Sequence, residues 1–129
     1  MPGVTFDTGA LIALEARRLA MTKVFHTAIA NGVPITVPAV VVAEWWRPGE
    51  RQKQRATLLR SVHVESLDKH LAMAAGVALG TLSNATAIDV IVMASAATRG
   101  DTVYTSDFGD LSALRAGVPA FARVRIERA

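Results

Sequence analysis

The chain has 129 residues, 51% of them apolar, no cysteine, and a net charge of +3 from 14 Lys/Arg against 11 Asp/Glu. That length fits one domain, 1–129, able to bury its own core. The missing cysteines exclude disulfides, zinc–thiolate centres and a thiol nucleophile, in keeping with a reducing cytoplasm.

The start Met1-Pro2-Gly3-Val4 has neither a basic n-region nor an apolar h-region, so a signal peptide is not expected. Val4-Thr5-Phe6 reads as a short strand ending at Asp7. Leu11 to Ala20 and Val24 to Ala30 read as helices, the second stopped by Asn31-Gly32. Pro34 to Val37 reads as a strand. Pro38 then suits the first turn of a helix over Val40 to Arg47, ended by Pro48-Gly49. Arg51 to Arg60 is a basic helix, and Val62 to Glu65 alternates as a half-buried strand does. Asp68 to Leu79 and Thr86 to Thr98 are further helices. Leu71 to Ile88 is uncharged, but Gly76, Gly80 and the polar run to Thr86 divide it, so no membrane span is expected. Thr102 to Ser106 is a β-branched strand, Leu111 to Ala116 a short helix and Ala122 to Ile126 a last strand. Strands alternating with helices predict βαβ units and a parallel sheet, an α/β protein. Ligands of such sheets bind outside the carboxyl ends of the strands.

Four acids stand out against this frame: Asp7, Glu44, Asp89 and Asp107, with Asp110 three residues on. Asp7 and Asp107 follow strands, whereas Glu44 and Asp89 lie in apolar helical runs. Each has a simpler reading. Asp7 can cap the next helix, Asp89 can sit in a first turn behind a Thr86 cap, Glu44 can face solvent, and Asp107 can belong to a polar turn. As a set, an all-oxygen cluster suits Mg²⁺ or Mn²⁺ and metal-assisted phosphodiester chemistry. Committing five acids to such a site leaves six against 14 basic residues, which favours a polyanionic partner. Arg17, Arg18, Arg47, Arg51, Lys53 and Arg55 are the candidate RNA contacts. His26, His63 and His70 lack ligand spacing to one another, and there is no Gly-rich phosphate loop. Trp45-Trp46 reads as packing, in the core or between subunits, rather than base stacking.

Four segments carry a resemblance to the PIN-domain family, and within it to VapC-type toxins of toxin–antitoxin pairs. They are Val4-Thr5-Phe6-Asp7-Thr8-Gly9-Ala10-Leu11-Ile12, Val40-Val41-Val42-Ala43-Glu44, Ile88-Asp89-Val90-Ile91-Val92-Met93-Ala94, and Val103-Tyr104-Thr105-Ser106-Asp107-Phe108-Gly109-Asp110. The match in order, spacing and length covers essentially the whole chain. The resemblance implies a three-layer α/β/α sandwich around a parallel sheet. It implies a Mg²⁺- or Mn²⁺-dependent endoribonuclease with Asp7, Glu44, Asp89 and Asp107 as catalytic and metal-binding acids. Asp110 would be a further metal ligand, and Thr8 and Ser106 would assist. Hydrolysis by metal-activated water would leave 5′-phosphate and 3′-hydroxyl ends. It also implies a homodimer, to which the positive mean hydropathy of +0.32 lends support, and a small cognate antitoxin that wraps the toxin and blocks the acidic pocket. Gly9 stands where a small polar residue is more usual.

Asp7-Thr8-Gly9-Ala10 also spells the aspartic-protease motif, but that nearly all-β fold does not suit these helices and leaves the other acids idle. A Mg²⁺-binding phospho-receiver would need paired acids after the first strand and a Lys after a late one. A DNA-directed nuclease or a non-catalytic binding module on the same fold remain the alternatives.

Overall fold

The computed structural model describes residues 2–129, so the reading that starts at Met1 falls partly outside the described residues. In chain order the elements are β1 (Val4–Phe6), α1 (Thr8–Glu15), α2 (Leu19–Ala30), β2 (Ile35–Pro38), α3 (Ala39–Trp45) and α4 (Gln52–Arg60). They continue with β3 (His63–Glu65), α5 (Lys69–Leu79), α6 (Ala87–Arg99), β4 (Thr102–Thr105), α7 (Phe108–Gly117), a 3-10 turn (Pro119–Phe121) and β5 (Arg125–Arg128). The strands form one parallel sheet in the order β3-β2-β1-β4-β5.

From β1 the chain steps outward to β2 and β3. Helices α5 and α6 then carry it back to β4, on the other side of β1, and it steps on to β5. Right-handed crossovers in these two opposite senses put α1–α4 on one face and α5–α7 on the other. This is the α/β/α sandwich expected from the sequence. The direction reverses between β1 and β4, where Thr5 pairs with Val103. Phe6, Val37 and Val103 are fully buried, as strands covered on both faces must be. The same holds for α6, whose residues Val90 to Ala96 are all buried. A helix apolar on every side belongs in the interior.

Several boundaries differ from the sequence reading, each for a local reason. The first helical run does not reach Ala20. It stops at Glu15, because Arg17 adopts a left-handed backbone (φ 58). The Arg17 and Arg18 N–H groups then donate back to the Leu14 and Ala13 carbonyls, both at 3.0 Å. That is a complete Schellman stop with arginine where glycine is usual, and α2 begins at Leu19 instead of Val24. Pro38 ends β2 rather than opening a helix turn; α3 starts at Ala39. α7 begins at Phe108, not Leu111. The last strand is Arg125–Arg128 rather than Ala122 to Ile126, because Ala122 closes the 3-10 turn in helical geometry. β3 is one of the two sheet edges, with His63 and Val64 exposed.

Beneath the sheet, Asp101 accepts from the Gly3 N–H at 2.8 Å and from the Thr5 hydroxyl at 2.9 Å. The Arg99 guanidinium joins Asp101, Glu65, Thr5 and Ser95. This partly buried network ties β1, β3, α6 and the start of β4 together, and its buried members Thr5, Ser95 and Asp101 are all partnered, as burial demands.

Candidate functional site

The carboxyl ends of β1 and β4 flank the reversal point, and each runs directly into a helix start. Asp7 bridges β1 and α1. It is the N-cap of α1, with Oδ1 accepting from the Ala10 N–H at 2.9 Å. It is also 5% exposed. Burial pushes its carboxyl from 3.8 up to about 6, helped by the negative charges of Asp107 and Asp89, while hydrogen bonds from Thr105 and Ala10 work against the rise. Capping and membership of an acidic cluster are therefore not competing roles here, because the cap geometry is what holds this carboxylate in the crevice.

Asp89 lies in the first turn of α6, with the Thr86 hydroxyl accepting from its N–H at 3.2 Å. Its carboxyl is half-buried and is pushed up by burial, then by the charges of Asp107, Asp110 and Glu44. Asp107, at the N-cap position of α7, makes no capping bond. Its N–H instead donates to the Thr105 hydroxyl at 2.8 Å. Asp107 and Asp110 are exposed. Glu44 is exposed too, the simpler of its two sequence readings, although its helical neighbours are apolar. It accepts a hydrogen bond from the Thr8 hydroxyl, which anchors α3 to the first residue of α1. Ser106 packs against the α1 backbone at Gly9.

The structure thus brings Asp7, Glu44, Asp89, Asp107 and Asp110 into electrostatic range along one edge. Thr105 stands between two of them and escaped the sequence reading. The sequence marks it only as the last Thr of a β-branched run before Ser106-Asp107; its full burial is a tertiary fact. Beside Asp89 and Asp110 opens a cleft of about 320 Å³, lined also by Leu82, Asn84, Thr86 and Leu114.

The basic candidates separate. Arg55 is not free for a ligand. Its guanidinium binds Glu15 at 2.6 and 3.0 Å, reaches the Trp45 carbonyl and lies 4.8 Å from the centre of the Trp45 ring. The Glu15 side chain is 4% exposed, and a buried carboxylate requires this partner. Arg51 makes a looser contact to Glu15 at 3.3 Å and stays open to solvent. Arg47 donates to the Ala43 and Trp46 carbonyls at the end of α3. Arg17, Arg18 and Lys53 are exposed. Trp45 itself is core, 3% exposed.

On the face of α1, α2 and α4 runs a groove of about 520 Å³ whose apolar lining includes Leu14, Leu19, Phe25, Trp45 and Leu58. Two polar atoms that border it, Trp45 Nε1 and Thr22 Oγ1, are buried with no hydrogen-bond partner among the described residues. No helix of the described residues is long and apolar enough to cross a membrane.

No family model and no curated protein matches this sequence. Solved structures do match its fold. A chain of DNA-bound VapBC from Salmonella typhimurium superposes with a TM-score of 0.74 at 14% identity, over 99% of this chain and 98% of that one. VapBC2 from Rickettsia felis, bound to a fragment of its promoter, gives 0.75 at 12% identity over 98% of both chains. A toxin–antitoxin complex from Klebsiella pneumoniae gives 0.63 at 18% identity, over 92% and 94%. At these identities the likeness is one of fold, along the full length of the chain.

Proposed function

We propose that this chain is the toxin of a toxin–antitoxin pair, a PIN-type endoribonuclease that depends on Mg²⁺ or Mn²⁺. The observation that carries the reading is the gathering of Asp7, Glu44, Asp89, Asp107 and Asp110 along the edge where β1 and β4 end. Burial and like charge raise both Asp7 and Asp89, and no basic side chain is among the main influences on either. A protein that gathers anions without neutralising them has a place for a cation.

The donors fit a hard divalent ion, since all are oxygens. As the side chains stand, no three Asp, Glu or His groups among the described residues are close enough to share one ion. The exposed carboxylates Glu44, Asp107 and Asp110 are the ones with freedom to turn inward onto the fixed Asp7 and half-buried Asp89. When bound, the ion would supply charge neutralisation and a water of lowered pKa. The chain's own residues do the positioning. The Ala10 N–H holds Asp7, and the Thr105 hydroxyl, which favours the ionised Asp7, accepts from the Asp107 N–H. The Thr8 hydroxyl orients Glu44. RNA rather than DNA as substrate rests on the family resemblance, as does the release of 5′-phosphate ends.

In this reading the antitoxin lays an apolar segment in the α1–α2–α4 groove, against Leu14, Leu19, Phe25 and Leu58. The reading also includes a homodimer, for which we assign the apolar side chains left exposed on α5, Met73 and Val77.

The test is cleavage of a complex RNA pool by the purified protein, freed of partner, in Mn²⁺, Mg²⁺ or EDTA, with the same sequences as single-stranded DNA alongside. Metal-dependent cuts with 5′-phosphate ends, absent in Asp89→Asn, are expected. Cleavage that persists in EDTA, or an Asp89→Asn variant as active as the parent, would overturn the proposal.

A further inference from the structure

The acidic edge has a second fixed charge beside it, of opposite sign. β5 ends at Arg128, paired in register with Thr105, and the following Ala129 N–H donates to the Thr105 carbonyl at 2.8 Å. The last residues of β5 are therefore pinned at the strand end from which Ser106 and Asp107 continue. The Arg128 guanidinium lies 4.2 Å from the centre of the Phe108 ring, and Phe108 is the first residue of α7, next to Asp107. Stacking on an aromatic face orients a guanidinium and leaves its N–H fork free. Among the described residues Arg128 forms no ion pair.

In the strand order β1-β4-β5 the acids at the ends of β1 and β4 lie to one side of Arg128. Asp7 and Arg128 end strands two places apart, about 10 Å at the usual strand spacing.

We propose that Arg128, held on Phe108, grips a backbone phosphate of the nucleic acid on the β5 side of the acidic edge. A planar fork suits a phosphate, and a phosphate needs a cation beside an edge that otherwise repels it. This rests on the nuclease reading for the identity of the ligand, but its test does not need catalysis.

Binding of a fluorescent single-stranded RNA is measured by anisotropy in EDTA, across a series of salt concentrations. Arg128→Gln is compared with Arg123→Gln, which makes the same charge change at an exposed position before β5, away from the carboxyl edge. Loss of one phosphate contact predicts an affinity about tenfold weaker and a log–log salt slope smaller by about 0.7. Arg123→Gln should change neither. Phe108→Leu, which keeps the charge but removes its platform, should weaken binding while leaving the slope intact. Thermal melts of the three variants report folding separately. If Arg128→Gln and Arg123→Gln behave alike, or the parent binds no RNA, the phosphate contact is wrong. If the contact is present and no metal-dependent cleavage occurs, the nuclease reading alone falls.

Discussion

A Cβ added to Gly9 would lie 1.8 Å from the Ser106 hydroxyl oxygen and 2.5 Å from the Ser106 Cβ. Helix α1 and the turn after β4 meet there with no room for a side chain. This contact sets the distance between the Asp7 and Asp107 segments, and it explains glycine at a helical position where alanine would otherwise be favoured by about 1 kcal/mol.

Gly9→Ala must therefore push the two segments apart, a net loss of about 1–3 kcal/mol by the cost of overpacking. Pairing it with Ser106→Gly removes both of the closest atoms and should recover most of that loss. Chemical denaturation of the three variants checks this. A Gly9→Ala protein as stable as the parent would show that the close approach is absent.

Asp7 gives a pH dependence of defined sign. Its folded pKa, about 6, lies above the ordinary 3.8. The folded state therefore holds this proton more tightly than the unfolded state does. The group's stabilising contribution is complete below about 3.8 and is lost as pH rises to about 6. Asp7→Asn keeps a good N-cap and removes the buried charge. In EDTA at pH 8 the variant should be more stable than the parent by up to about 3 kcal/mol, a gap that closes towards pH 4. Denaturation midpoints at pH 4, 6 and 8 provide the comparison, and a parent that is the more stable at pH 8 would contradict it.

Divalent metal should largely close that gap. Mn²⁺ at one hundred times its Kd would stabilise the parent by about 2.7 kcal/mol. Asp7→Asn, Asp89→Asn and Asp107→Asn should each blunt the rise in Tm, whereas Asp68→Asn, which caps α5 away from the site, should not. Equal shifts in all four variants would place the metal elsewhere.

Glu15 and Arg55 form the core's own ion pair, with the Glu15 side chain 4% exposed and that of Arg55 13%. Arg55→Met removes the main partner of the Glu15 carboxylate, leaving only the looser Arg51 contact, and should cost about 1–3 kcal/mol. Glu15→Leu combined with Arg55→Met should cost less than Arg55→Met alone, since no charge is then stranded. RNA binding by the double variant should stay near that of the parent if Arg55 serves the fold and not the ligand. A marked loss of binding would restore Arg55 as a contact.

The order of strands and helices was legible in the sequence because apolar periodicity, caps and breakers act over a few residues. Asp7, Thr86 and Asp89 could be placed at helix starts from their immediate neighbours, and the α/β class followed from the alternation. Even locally the reading failed where an uncommon residue did a common job, as Arg17 does in ending α1 with a left-handed turn. The sequence by itself also supplied the acids in their order along the chain. Only the tertiary structure decided what each one meets. It buried Asp7 while leaving Glu44, Asp107 and Asp110 open, tied Glu44 to Thr8, and withdrew Arg55 into the core through Glu15, 40 residues away. It also set Arg128 beside Phe108 through the pairing of β4 with β5. Such contacts depend on strand order and crossover direction, and no local period along the chain records which distant side chain will arrive opposite.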